Sequence, residues 1–188
     1  MHPKLLLTSF ETWLPHQQSN TSDDLLGEIS RLESFPPTRT LLRKLPVENQ
    51  LASDRVLTAI ETLQPTGIIC CGMAEKRSQL TLESQATRGK DILPTTVNLD
   101  ELVAKLAVTE IGNDAGDFVC NYLYYSVLEY LNRQNLSIPC LFVHVPPLDA
   151  DNLAPILADF TIVCQELEEL VSVESKCTNL PISRSGCA

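Results

Sequence analysis

Residues 49–72 read NQLASDRVLTAIETLQPTGIICCG, a pattern that indicates a helix followed by a strand. Val56, Ile60 and Leu63 recur at helical spacing, which predicts a helix with one apolar face. Pro65 ends that helix, and the apolar run GIICC that follows is typical of a strand buried on both faces. A helix that leads into a buried strand predicts a β-α-β arrangement, in which neighbouring strands run parallel.

The same alternation of strands and helices extends along the chain in both directions. The predicted strands are residues 4–9, 38–47, 67–71, 79–87 and 138–145. The predicted helices begin at residues 21, 49, 98, 119 and 152. The proline pair Pro36-Pro37 is expected to end the first of them, and the last ends at Val171. This order predicts an α/β fold: a three-layer α/β/α sandwich with a mostly parallel, mixed central sheet in a single domain over residues 1–172. Residues 173–188 mix Ser, Thr, Pro, Gly and charge, so we expect a disordered C-terminal tail.

Composition narrows the possible partners. The chain has 188 residues and a formal net charge of −10, so phosphate backbones and anionic membrane surfaces repel it, and neither nucleic acid nor membrane is an expected partner. No apolar stretch approaches the roughly 18 to 20 residues that span a bilayer, and the first apolar run is too short for a signal peptide. These features predict a cytoplasmic protein.

The cysteines do not predict a disulfide framework or a metal site. There are seven of them, an odd number, and no Cys-x-x-Cys pair occurs. A chain without a secretion signal seldom uses a disulfide framework, and a zinc site needs paired ligand spacing that this sequence lacks. We therefore expect most thiols to be small buried side chains, with no bound metal.

Cys120 is predicted to lie in the first turn of a helix. The N–H groups of a first turn lack helical partners and carry a partial positive charge, which lowers the pKa of a thiol and can hold an oxyanion. Gly116, just upstream, permits a tight turn. These features suit a nucleophile, although a cysteine that simply lines the buried face of the helix fits the pattern as well.

His144 lies near the end of the predicted strand CLFVHV. Strand ends of α/β sheets are where functional groups gather, although a histidine in such a run is also commonly a hydrogen-bonded core residue. His2 and His16 fall at the terminus and in a loop. His144 is therefore the histidine with the rigid position that a general base requires.

Glu83 lies in an alternating strand, on the face opposite Leu80. A glutamate there is often only solvated. In the functional interpretation it accepts a hydrogen bond from an imidazole and fixes its tautomer.

Around these three residues the sequence resembles the pyroglutamyl-peptidase I family, in the same chain order. Residues 115–121, AGDFVCN, match the block Ala-Gly-x-aromatic-Val-Cys-Asn, and residues 142–146, FVHVP, match aromatic-x-His-Val-Pro. Residues 72–83, GMAEKRSQLTLE, resemble a block with Gly-Arg and a short strand ending in Glu. Residues 8–13 and 20–22 are similar to the family's first loop and its Asn-Pro-Ser. The resemblance runs from about residue 4 to the final helix.

The resemblance implies a cysteine exopeptidase that removes an N-terminal pyroglutamate from a peptide. Cys120 would be the nucleophile, His144 the base and Glu83 the group that orients the histidine. A thioester would form and be hydrolysed by water. No cofactor would be needed.

The resemblance also implies a substrate pocket that is apolar, with a few amide contacts for a small, flat, uncharged ring. Phe10, Trp13 and Phe142 would be its lining residues. The partner would be a peptide with an N-terminal pyroglutamate, and the protein could form a homo-oligomer.

Three departures from the family concern the substrate elements. The family's Phe-Gly-Gly is replaced by Trp-Leu-Pro at residues 13–15, and this stretch cannot take the backbone angles open to Gly-Gly. An arginine that the family places shortly before an Ile-Pro step is missing near Ile92, and Arg88 is a candidate substitute. The segment between residues 94 and 113 is shorter than in the family, so the expected oligomer contacts are reduced.

Two other functions fit parts of this pattern. A catalytically weak or repurposed protein could keep the fold and bind a peptide or a small molecule, which the altered first loop favours. A glutaminase-type Cys-His-Glu hydrolase would place its glutamate two residues after the histidine, but that position holds Pro146 and no acid follows until Asp149.

Overall fold

A computed structural model describes residues 4–177, with side chains described through residue 170. The strands are β1 Leu5–Phe10, β2 Arg39–Leu45, β3 Gly67–Met73, β4 Leu80–Glu83, β5 Gln85–Arg88, β6 Asp91–Pro94, β7 Thr109–Gly112 and β8 Cys140–Val145. The helices are α1 Thr21–Ile29, α2 Asn49–Leu63, α3 Leu99–Val103, α4 Val119–Arg133 and α5 Leu153–Cys177.

The central sheet has six strands in the order β2-β1-β3-β8-β4-β7. Every neighbouring pair is parallel except β4 and β8, which run antiparallel. One apolar core joins the sheet to α1, α3 and α5, and a second core on the opposite face joins it to α2 and α4. The predicted three-layer sandwich with a mostly parallel, mixed sheet is confirmed.

The predicted strand over residues 79–87 divides at Ser84. Its first half is β4 in the central sheet, whereas its second half is β5, which pairs with β6 in a separate antiparallel hairpin. The hairpin turns at Gly89, whose φ of 64° favours glycine. Asn121 holds the hairpin against α4: its side-chain amide donates to the carbonyl oxygen of Thr87 and its Oδ1 accepts from the Thr87 N–H, both at 2.8 Å.

The ends of two helices also differ from the predictions. The first helix ends at Ile29 and is followed by turns, well before the proline pair that was expected to stop it. The last helix continues to Cys177, beyond the predicted end at Val171. The predicted tail therefore begins inside α5, and residues 178–188 lie outside the described part of the chain.

The antiparallel pairing of β4 with β8 positions the polar residues. In the register, Thr81 lies opposite His144 and Glu83 lies opposite Phe142. Because side chains two residues apart share a face of a strand, Glu83 and His144 are diagonal neighbours on one face. Leu80 and Leu82 point to the other face and belong to the other core.

Candidate active site

Glu83 and His144 form a buried pair. The Nδ1 nitrogen of His144 lies 2.6 Å from Oε1 of Glu83, and the side chains are 7% and 0% exposed. With the carboxylate as acceptor, Nδ1–H donates and the neutral ring keeps its lone pair on Nε2. Nε2 has no hydrogen-bond partner within the described residues, so it is free to accept a proton.

Cys120 is the second residue of α4, and its thiol packs against β3. Phe118, the N-cap residue, makes no side-chain capping hydrogen bond, so no side chain at this position occupies the N–H groups of the first turn. A Cβ atom added to Gly72 would lie 2.5 Å from Sγ of Cys120, and Gly72 is the direct partner of His144 in the β3–β8 register. Glycine is thus the residue that leaves room for the thiol beside the histidine strand.

The three residues predicted as catalytic meet in one place, which we call the catalytic corner: Glu83, Cys120 and His144. Cys120 and His144 both line the same cavity, and Glu83 lies behind the histidine. The corner draws one residue each from β4, α4 and β8. These elements belong to the packed sandwich, so the positions of the three side chains are fixed by the core rather than by a loop.

The thiol of Cys120 is neutral at rest, contrary to the low pKa expected from its helix position. Burial raises the pKa of Cys120 to about 12, and the negative charge of Glu83 adds to the rise. The backbone N–H of Cys120 and the guanidinium of Arg77 lower the pKa but do not prevail. A neutral thiol needs a base to become a nucleophile, and His144 borders the same cavity.

Glu83 has a second charged neighbour that we did not predict. Nη1 of Arg77 lies 2.6 Å from Oε1 of Glu83, the same oxygen that faces His144. The other oxygen, Oε2, packs against Gly112, where an added Cβ atom would lie 2.5 Å away. The hydroxyl of Tyr124 donates to the main-chain carbonyl of Glu83 at 3.2 Å. Arg77 falls inside the first motif block, but nothing in its spacing indicates that it contacts the glutamate.

The cavity has a volume of about 600 Å³, within the range of small-molecule sites. Phe10 lines it from the buried side, with only 2% of its surface exposed. Trp13 and Phe118 form an aromatic pair in its wall, with ring centroids 4.7 Å apart, and each is about half exposed. The sequence does not distinguish Phe118 as a cavity residue, because an aromatic residue next to a helix start is equally suited to the core.

Phe142 does not line the cavity, which corrects its prediction as a substrate residue. It is fully buried between the rings of Tyr124 and His144, at centroid distances of 5.6 and 4.9 Å. The alternation of β8 turns Phe142 and His144 to the same face, but α4 covers the phenylalanine. Phe142 therefore supports the imidazole from behind.

The segment over residues 11–19, which we call the mouth loop, carries Trp13 and is mostly exposed. The carbonyl oxygen of the Gln17 side chain accepts from the N–H groups of Trp13 and Leu14, at 3.1 and 3.2 Å. Its amide nitrogen donates to Oε1 of Glu75 at 2.8 Å. Glu75 belongs to the turn after β3, so this one glutamine ties the mouth loop to the central sheet.

Arg88 does not take the place of the arginine missing near Ile92. It bonds Glu129 and Ser126 of α4 and lies over the ring of Tyr125, 4.1 Å from its centroid. None of these partners lines the cavity. Among the described arginines, Arg77 is the one that lines the cavity.

Two further observations concern membrane-spanning helices and metal sites in the described residues. No helix between residues 4 and 177 is both long and apolar enough to cross a membrane. No group of three or more His, Cys, Asp or Glu side chains in the described part of the chain is arranged to hold a metal ion.

Comparison with known proteins identifies the family. The family model described as pyroglutamyl peptidase matches residues 92–154. A pyrrolidone-carboxylate peptidase of Deinococcus radiodurans is 30% identical over 179 aligned positions, which cover 81% of this chain and 82% of that protein. The chain belongs to the pyroglutamyl peptidase family.

More distant relatives agree with this assignment. A pyrrolidone-carboxylate peptidase of Bacillus subtilis is 26% identical and covers 87% of this chain and 88% of its own length. The crystal structure of pyroglutamyl peptidase I from Bacillus amyloliquefaciens has a TM-score of 0.72 at 21% identity, covering 86% of this chain and 93% of that one. The pyrrolidone carboxyl peptidase from Thermococcus litoralis has a TM-score of 0.74 at 18% identity, covering 98% and 100%. These two likenesses concern the fold.

Proposed function

We propose that this protein is a cysteine exopeptidase that removes an N-terminal pyroglutamate from a peptide. The observation that carries the proposal is the buried Glu83–His144 pair. His144 uses Nδ1 to contact Glu83, which leaves its Nε2 available, and it lines the same cavity as Cys120. Membership of the pyroglutamyl peptidase family supports the choice of reaction and substrate.

In the first half of the reaction, Nε2 of His144 takes the proton of the Cys120 thiol as Sγ attacks the carbonyl carbon of the pyroglutamyl residue. The raised pKa of the thiol makes this proton transfer necessary. Glu83 accepts the Nδ1–H bond and stabilises the imidazolium that results. First-turn N–H groups of α4, including that of Cys120, stabilise the oxyanion.

In the second half, the tetrahedral intermediate collapses as His144 donates the proton to the leaving amine nitrogen. The peptide departs without its first residue, and the pyroglutamyl group remains as a thioester on Cys120. Water then attacks the thioester while His144 accepts its proton. Free pyroglutamate leaves, and the proton returns to the thiol.

The cavity suits a flat, uncharged ring. Phe10 lines it, and Trp13 and Phe118 line it as an aromatic pair. Aromatic faces bind planar groups through stacking and burial of apolar area. Phe118 lies in the cavity wall, where Phe142 was predicted to lie. The Trp13–Leu14–Pro15 stretch, which replaces a more flexible family sequence, keeps its place through Gln17.

The test is hydrolysis of pyroglutamyl-7-amido-4-methylcoumarin by the wild type, Cys120→Ala and Cys164→Ala. Cys164 is a buried thiol of the other core, so it is a matched control for loss of a sulfur atom. We expect turnover by the wild type and Cys164→Ala, and a loss of roughly 10³-fold or more for Cys120→Ala. The prolyl analogue, whose ring lacks the lactam carbonyl, should not be cleaved.

The same assay decides against the binding-protein alternative. A repurposed protein would bind pyroglutamyl peptides without cleaving them, and the wild type would release no more coumarin than Cys120→Ala. That result would overturn the proposed function.

A further inference from the structure

We propose that Arg77 is a positioning residue for the catalytic corner: its guanidinium compensates the buried Glu83 carboxylate and fixes the loop from which the nucleophile helix starts. The kinetic part of this proposal rests on the proposed function. Its structural part rests on two contacts of one side chain, to Glu83 and to the main chain of Asp114.

The first contact explains how Glu83 can stay ionised while it is fully buried. A buried carboxylate is costly unless a positive charge or several hydrogen bonds compensate it. Oε2 of Glu83 has no hydrogen-bond partner within the described residues. Oε1 faces both the Arg77 guanidinium and the His144 ring, each at 2.6 Å. Since His144 must be neutral to act as a base, Arg77 is the permanent positive charge at this carboxylate.

Within the described residues, the charged and titratable groups around Glu83 come from four elements. They are Arg77 from the segment after β3, His144 from β8, and Cys120 and Tyr124 from α4. The neighbouring strand β7 places Gly112 opposite Glu83 and, on the same face, Glu110 opposite Thr81, where Glu110 accepts from the Thr81 hydroxyl at 3.5 Å. Of these groups, Arg77 is the one that carries a positive charge at every physiological pH.

The second contact extends from the corner to the loop before α4. Nη2 of Arg77 donates to the carbonyl oxygen of Asp114 at 3.0 Å. The side chain of Asp114 in turn accepts from the N–H of Gly116 at 2.8 Å, where φ is +80° and glycine is favoured. The chain enters α4 only three residues later, so one guanidinium links the acid of the pair to the approach of the helix that carries Cys120.

Loss of the Arg77 charge should make the Glu83–His144 pair hold its proton more tightly. A nearby positive charge lowers the proton affinity of such a pair, typically by one unit of pKa or more at this distance. Without Arg77, His144 would therefore be protonated at a higher pH. Nε2 would be unable to accept the thiol proton until that higher pH was reached.

The experiment follows the imidazole of His144 by NMR across pH in the wild type, Arg77→Gln, Arg77→Lys and Arg88→Gln. Arg88 also pairs with a glutamate but lies outside the cavity, so it is the matched control. We expect Arg77→Gln to raise the pKa of His144 by about one unit, and Arg88→Gln to leave it unchanged. Arg77→Lys should keep the titration near that of the wild type because the charge remains.

Kinetics with the pyroglutamyl substrate then separate charge from geometry. For Arg77→Gln we expect the acidic limb of the kcat–pH profile to move to higher pH together with the titration of His144. At a pH on that limb kcat should be about tenfold lower, with KM little changed. Arg77→Lys should lower kcat without moving the limb, because one ammonium cannot hold both Glu83 and Asp114.

Superimposable His144 titrations in the wild type and Arg77→Gln would overturn the proposal, as would an equal shift in Arg88→Gln. If Arg77→Gln does not fold, Arg77→Lys decides: a titration displaced by the full unit contradicts the charge role. The NMR measurement needs no substrate. An inactive wild type would therefore count against the proposed function and leave the test of Arg77 intact.

Discussion

The catalytic corner and the mouth loop border the same cavity but are held in different ways. The corner lies on β4, β8 and α4, and its Glu83 and His144 side chains are almost entirely buried. The mouth loop is mostly exposed and depends on polar contacts, chiefly those of Gln17. In the proposed function, this difference means that the reacting groups are positioned by the core, whereas substrate fit depends on a surface segment that can change while the fold persists.

The largest expected effect follows from removing the charge of Glu83 in the corner. Glu83→Gln keeps the shape but allows the wrong imidazole tautomer, so we expect kcat to fall by roughly 10³-fold or more with KM little affected. The matched control is Glu129→Gln, which removes a surface glutamate paired with Arg88 and Arg133. Steady-state kinetics on folded protein check this. Loss confined to KM would contradict the division of roles.

The pH dependence of Cys120 alkylation tests whether the thiol is neutral at rest. Burial raises the pKa of Cys120 to about 12, so the protonated form dominates at neutral pH and the thiolate fraction grows with rising pH. The iodoacetamide rate at Cys120, followed by mass spectrometry of its peptide, should rise about 100-fold from pH 7 to pH 9. It should continue to rise above pH 9, where an unstructured thiol levels off. A plateau below pH 8 would mean that the thiol is ionised at rest.

Substituting Gly72 should disturb the corner without changing any catalytic group. In Gly72→Ala the new Cβ atom would lie 2.5 Å from Sγ of Cys120 and 2.9 Å from Phe142, so the nucleophile must shift. A misplacement of about 1 Å can lower the rate about 100-fold, so we expect a loss of that order in kcat. Gly89→Ala, in the β5–β6 turn with nothing near its Cβ position, should lose some stability but retain kcat. Equal kcat in both variants would show that the thiol tolerates displacement.

The mouth loop should give the smallest effect, and mainly on KM. Trp13→Ala removes half of an aromatic pair in the cavity wall, and we expect KM to rise about tenfold with kcat nearly unchanged. Ile92→Ala is the control, because Ile92 is an apolar side chain of comparable exposure that lies on β6 and does not line the cavity. A large loss of kcat in Trp13→Ala would mean that the loop also positions the reacting carbonyl.

Much of the fold could be predicted because its central strands are short, apolar and bounded by proline or glycine. The β5–β6 hairpin and β7 could not, because they are short, partly exposed strands without a continuous apolar pattern. Residues 79–87 were predicted as a single strand because the alternation of apolar and polar residues continues through the bend at Ser84.

At the site, the sequence predicted which residues would meet but not their electrostatics. The helix position of Cys120 suggested a low pKa, whereas the observed burial outweighs the helix N–H groups. Phe142 was predicted as a lining residue because strand alternation does not reveal which part of a strand face a helix covers, and no role was predicted for Phe118. The contact of Arg77 with Glu83 joins residues on opposite sides of a turn, and no periodicity encodes it.

The most direct test of the account is to trap the acyl-enzyme. Wild-type protein would be mixed with a pyroglutamyl substrate, quenched in acid within the first turnover, digested and analysed by mass spectrometry. We predict that the peptide containing Cys120 gains the mass of one pyroglutamyl group, and that Cys120→Ala acquires no such mass on any peptide. Turnover without an adduct on Cys120, or an adduct on another cysteine, would contradict the assignment of Cys120 as the nucleophile.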